Sequence, residues 1–207
     1  MNSGKLPFLA SGAFCLFLFA GCSNESEHSS SSPALTAEPA RSPIIRQNTN
    51  CGGCDPSCYG MSDTPTGADL NEDNSENLRY DLDRDGLVAT GAVGTYTRRY
   101  DARFSCEDSF LQPSWDMLFH EVETPTGTRV EFHARTAETV SALEGAPRIL
   151  VGTVADSTDN FQLWRAFADA GVSEDMRYLI IEAELHASPD GVTSPVLHSF
   201  STVLYCV

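Results

Sequence analysis

Residues 177–187 read Arg-Tyr-Leu-Ile-Ile-Glu-Ala-Glu-Leu-His-Ala. Apolar residues recur at every second position: Leu179, Ile181, Ala183, Leu185 and Ala187 share one side, while Glu182, Glu184 and His186 share the other. A period of two places successive side chains on opposite faces of a strand, so this is a strand with one dry and one wet face. Residues 129–135 repeat the pattern, with Val130, Phe132 and Ala134 opposed to Arg129, Glu131, His133 and Arg135. Residues 148–154, 196–205, 96–100 and 115–122 complete a set of short strands. Pro125-Thr126-Gly127 and Ser188-Pro189-Asp190-Gly191 carry turn chemistry between them. Residues 136–143 and 161–170 hold the only helical patterns, too few for alternating strand–helix units. The chain is therefore expected to be all-β, an antiparallel β-sandwich with one or two short helices.

Composition narrows the function. The 207 residues carry 29 acids against 13 Lys plus Arg, a formal charge of −16. Lys5 is the only lysine. A P-loop NTPase, a Schiff-base enzyme and a nucleic-acid binder built on a basic patch all conflict with that. No Gly-x-Ser-x-Gly elbow is present, and His120-Glu121 lacks the second histidine of a His-Glu-x-x-His motif. The sequence thus points away from an enzyme. His120, His133, His186 and His198 have no metal-ligand spacing and read as solvent-side strand residues.

The N-terminus reads as an export signal. Lys5 is followed by a largely apolar run over residues 6–19, shorter than the ~20 residues that span a bilayer. The run ends in Phe19-Ala20-Gly21-Cys22. This stretch resembles a bacterial lipoprotein signal. The resemblance implies cleavage before Cys22, lipidation of Cys22 and a cell-envelope location, with Ser23 favouring the outer membrane. Loss of Lys5 would take the charge to −17. Residues 1–21 are then the signal peptide, and residues 22–50 the lipidated cysteine with a Ser/Pro-rich flexible linker. Residues 51–77 form a Cys-rich acidic segment, and 78–207 the sandwich domain.

Cys51, Cys54 and Cys58 form a C-x2-C-x3-C pattern. Zinc or cluster ligation, a redox pair and structural disulfides are the three readings. Export to an oxidising compartment favours disulfides. Cys106 and Cys206 lie in the main domain, and a bridge between them would close about 100 residues, worth ~4–5 kcal/mol in the loop-entropy model. Five mature cysteines besides Cys22 leave one thiol over.

Between Asp63 and Asp85 eight acids face Arg79 and Arg84. Within this run Asp81, Asp83 and Asp85 precede Gly86 with the alternate spacing of half a calcium loop. The acid expected at the twelfth position is Ala92. A β-turn at Arg84-Asp85-Gly86, joining residues 78–83 to 87–90, is the favoured reading. Calcium is the one cofactor the chain suggests.

Residues 94–205 also carry a longer resemblance. Gly94-Thr95-Tyr96, Tyr100-Asp101-Ala102, Trp115, residues 124–130, Arg135-Thr136-Ala137, Arg177-Tyr178-Leu179 and residues 194–199 occur in an order similar to that of a jelly-roll-like module found in large secreted and surface proteins of bacteria. The resemblance implies a non-catalytic binding or adhesion module. Its partners would be the membrane, through the anchor, and a glycan or an envelope or matrix protein. The alternatives are a structural envelope lipoprotein and a glycan-active enzyme built on the acids.

Overall fold

A computed structural model describes residues 44–46 as backbone, and residues 58–71, 74–102, 106, 111–155 and 159–207 in full. Cys22, Cys51 and Cys54, together with the signal segment and most of the linker, lie outside the described residues. Two antiparallel sheets pack face to face, which is the β-sandwich expected from the alternation.

The strands are β1 (Ile44–Arg46), β2 (Cys58–Asp63), β3 (Ser75–Glu76), β4 (Leu78–Asp81), β5 (Gly86–Ala89), β6 (Val93–Asp101), β7 (Pro113–Glu123), β8 (Arg129–Ala137), β9 (Ile149–Val154), β10 (Phe161–Gln162), β11 (Tyr178–His186) and β12 (Val196–Cys206). The five-stranded sheet runs β3-β6-β11-β8-β9. β11 is its centre and pairs in unbroken register with β6 and β8 over its whole length. Leu179, Ile181, Ala183 and Leu185 are fully buried, as are Val130 and Phe132 on β8. Tyr96 and Tyr100 on β6 also point inward.

The seven-stranded sheet is organised around β12. β7 lines one edge of β12 along its length. The other edge is shared, with β2 against Phe200–Tyr205 and β5 meeting Leu197. β1 extends the sheet beyond β2, β4 beyond β5, and β10 beyond β7. The sandwich thus takes in chain from before residue 78. β2 and β3 come from the stretch expected to be a separate Cys-rich segment, and β1 from the expected linker. The reason is hydrogen bonding: the inner edge of β12 offers backbone groups that need a partner, and β2 supplies it.

Cys106 and Cys206 form the disulfide, with 5.5 Å between their Cα atoms across 100 residues of chain. It ties the end of β12 to the segment that follows β6. Cys58 is also disulfide-bonded. Asp63, the first of the eight acids counted up to Asp85, is buried at the end of β2. It accepts a hydrogen bond from the Tyr96 hydroxyl at 2.9 Å, and Arg98 Nε lies 3.6 Å from its other oxygen. This polar tie joins the two sheets. Burial pushes the Asp63 carboxyl above its usual range, against the pull of Arg98 and Tyr96.

The helices are shorter than their patterns. α1 (Val140–Leu143) starts only after Thr139, whose hydroxyl accepts from the Ala142 amide at 3.2 Å, while Thr136 and Ala137 finish β8. α2 (Leu163–Asp169) follows β10, so Phe161 and Gln162 are strand residues paired with β7. α2 buries Leu163 and Phe167 and leaves Trp164 42% exposed. Trp115 is a core residue whose indole donates to the Met176 carbonyl at 2.7 Å.

Candidate functional site

Asp81, Asp83 and Asp85 sit where the turn reading places them. Residues 82–85 connect β4 to β5, with Asp81 opposite Gly86. One Asp81 oxygen accepts the Asp83 amide at 3.1 Å and the Arg84 amide at 3.3 Å, and the other meets Arg79 at 3.0 Å. Desolvation raises the Asp81 carboxyl, but these donors outweigh it and hold the group below its usual value. Asp85 accepts from the Tyr80 hydroxyl. The loop therefore uses its carboxylates to brace its own backbone, and the three acids do not converge on one point. Gly86 is not the sharp bend. Asp85 carries the positive φ of 50°, whereas a Cβ on Gly86 would lie 2.5 Å from Val196 Cγ1 and 2.9 Å from the Leu197 carbonyl. Gly86 is small so that β5 can approach β12.

Two other places gather chemistry. The first is a groove of about 540 Å³ between β9, β10 and α2. Met117, Leu150 and Phe161 supply its apolar wall, and Asn160, Arg165 and Asp169 its polar one. Its shape depends on Gly152, where an added Cβ would fall 2.2 Å from the Phe161 ring. Phe161 in turn packs by His120, whose ring stacks on Phe132 with 5.4 Å between centroids. Leu150 is 53% exposed on the groove rim. His120 thus points inward rather than to solvent. Burial lowers its pKa, and its Nε2 lies 2.9 Å from the Asp159 carbonyl.

The second is the outer face of the five-stranded sheet. Register places Glu131 directly opposite Glu184, Arg129 opposite His186 and His133 opposite Glu182. Like charges facing each other across strands repel, so this face needs cations. Three arginines supply them. Arg129 Nε donates to Glu131 Oε1 at 2.7 Å. Arg148 donates to Glu182 Oε1 and Glu184 Oε1, each at 2.5 Å, and to His133 Nδ1 at 2.9 Å. Arg135 lies 3.8 Å from Glu182.

His133 is almost wholly buried under this layer rather than open to solvent. Desolvation, then the Arg148 charge, lowers its pKa. Glu131 is held below its usual range, chiefly by the Arg129 hydrogen bond. Ligand atoms of Glu131, His133 and Glu184 all lie within 4.8 Å of one another, the one such trio among the described residues. Sequence spacing missed this cluster because its members come from two strands some fifty residues apart. The alternation that put them on one outer face was visible, and the pairing register was not. Compared with protein-family models and with curated proteins, the chain matches none, so its chemistry is argued from these residues alone.

Proposed function

We propose that this chain is a lipid-anchored, non-catalytic binding module of a bacterial cell envelope, and that it holds a neutral glycan in the groove between β9 and α2. The observation that carries the reading is the groove itself. Asn160, Arg165 and Asp169 offer donors and acceptors beside apolar Leu150 and Met117. Sugars ask for that combination, since each ring has hydroxyls at its rim and C–H groups on its faces. Trp164 precedes Arg165 on α2 and is the one aromatic among the large exposed hydrophobics of the described residues. Trp164 is not among the residues that line the groove, so its ring would stack only a sugar that extends past it. The strongly negative chain repels polyanions, which favours neutral over sulfated or uronic glycans. Lipidation at Cys22 and the linker would keep the module near the membrane with freedom to turn.

The test uses the mature chain with Cys22→Ser, exported to an oxidising compartment and probed on a glycan array. Binding to neutral glycans is expected, at least ~10-fold weaker in Arg165→Ala and in Asp169→Ala. Silence across the array would overturn the glycan assignment. A protein partner is the second reading, motivated by Leu150 on the groove rim. Cross-linking in cells that depends on Leu150 would favour it. Palmitate labelling that survives Cys22→Ser would remove the anchor.

A further inference from the structure

The wall of the groove beside β9 is backbone. Successive side chains of a strand point to opposite faces, so a strand that turns one face to a cavity lines it with every second residue. Here Ile149, Leu150 and Val151 all line the groove. Three residues in a row do so when the strand presents its edge. β9 is the last strand of the five-stranded sheet, and among the described residues it pairs with β8 alone. Such an edge carries N–H and C=O groups that have no partner in the sheet. We infer that the glycan held in this groove bears N-acetyl groups, and that the amide of one of them pairs with the backbone of residues 149–151. The inference rests on the glycan reading of the groove and names the class of sugar it takes.

An acetamido group is a secondary amide, with one N–H donor and one C=O acceptor in the planar trans arrangement of a peptide. Laid along a strand edge, it makes the bonds that a neighbouring strand would make. A hydroxyl gathers donor and acceptor on one oxygen, so it matches the spacing of an edge less well. The acetyl methyl needs an apolar seat, and Met117, Ala166 and Ala170 line the same groove. Asn160, Gln162, Arg165 and Asp169 serve the ring hydroxyls. The open edge is too short for a peptide strand. Val151 has no register partner on β8, which makes it the extra residue of a bulge, and bulges blunt an edge against strand addition. Just beyond it the Phe161 ring closes over Gly152, where a Cβ has no room. The length left is that of one or two amides. The acetamido group is also uncharged, in keeping with a strongly negative chain that repels acidic sugars.

Two tetrasaccharides of the same linkage decide the matter, one of N-acetylglucosamine and one of glucose, titrated by calorimetry into the mature Cys22→Ser chain. The acetylated tetramer should bind at least ~10-fold tighter, because a site built to hydrogen-bond a group rejects the analogue that lacks it. The backbone amide resonances of residues 149–151 should shift with the acetylated tetramer and move less with the glucose tetramer, and their hydrogen exchange should slow. Neither readout needs a substitution in the groove, so no misfolded variant can imitate a loss. Equal affinity for the two tetramers would overturn the acetyl assignment and leave the glycan reading of the groove standing. Tighter binding of the acetylated tetramer with unmoved amides at residues 149–151 would overturn the pairing to β9. Silence of both tetramers, on a chain that binds other neutral glycans, would overturn this inference alone. Silence across the whole glycan array would overturn the groove reading with it.

Discussion

The two sheets are built on different terms. In the five-stranded sheet β11 pairs without interruption on both edges, and its side chains alternate buried and half-buried along its whole length. In the seven-stranded sheet β12 carries two register shifts against β7 and divides its other edge between β2 and β5. Its inward positions change parity, since Leu197 and Phe200 both lie in the core on either side of the register shift at His198. A bulge adds a residue to one strand, so the inward face changes parity across it. One sheet is an unbroken ladder with a charged outer face. The other gathers strands from distant parts of the chain and is closed by a disulfide. Regular alternation marks a strand that can find its place from its own pattern, and irregular burial marks one whose place is imposed by its partners.

The largest expected effect tests that dependence. Cys206→Ser removes the closure of the seven-stranded sheet and should cost ~4–5 kcal/mol by the loop-entropy estimate. Denaturant melts measure the loss. Hydrogen exchange should locate it, with β2 and β12 amides loosening before those of β6, β8 and β11. Equal loosening of both sheets would break the comparison. Ile181→Ala opens a cavity at the centre of the regular sheet and should cost about 2–5 kcal/mol. Here β11 amides should lead.

Arg148→Ala strips the ladder of its central cation and should cost about 1–2 kcal/mol, less at high salt. A loss that does not respond to salt would show that Arg148 acts by packing. A pH series sharpens the point further. Burial holds His120 and His133 below the ordinary histidine value of 6.5. Below that pH the unfolded chain takes up protons that the folded chain refuses, so stability falls as pH drops from about 7 toward the lowered folded values. His133→Gln should flatten part of that slope, and an unchanged slope would assign it to His120. The smallest effect belongs to the acidic loop. Asp83→Ala should leave the melting temperature where it is, whereas Asp81→Ala, losing two backbone hydrogen bonds, should lower it measurably.

Much of the fold was legible in single strands. The inward sets of β8 and β11 are those the alternation named, save Ala187, which lies half-buried past the end of β11, and the hairpin across residues 82–85 lies where Asp85-Gly86 placed it. The Cys106–Cys206 bridge also agrees with the spacing argument. Strand partnership was not legible. Nothing in residues 58–63 announces that they complete the edge of β12. Nothing in the helical pattern of residues 136–143 shows that its first two residues are needed by β8. Glu131, Glu184 and His186 each looked like an ordinary wet-face residue.

The sequence by itself determined the class of fold, because alternation is a local property that each strand carries alone. It also determined the acidic character, because net charge is a sum over residues that needs no fold. Only the tertiary structure decided which strands meet and in what register. That choice turns scattered carboxylates and a histidine into one cluster, and turns an isolated glycine, Gly152, into the floor beside a groove. The physical reason is that register depends on the sum of many weak cross-strand contacts and on which edges remain unsatisfied. Neither quantity is written in a single strand.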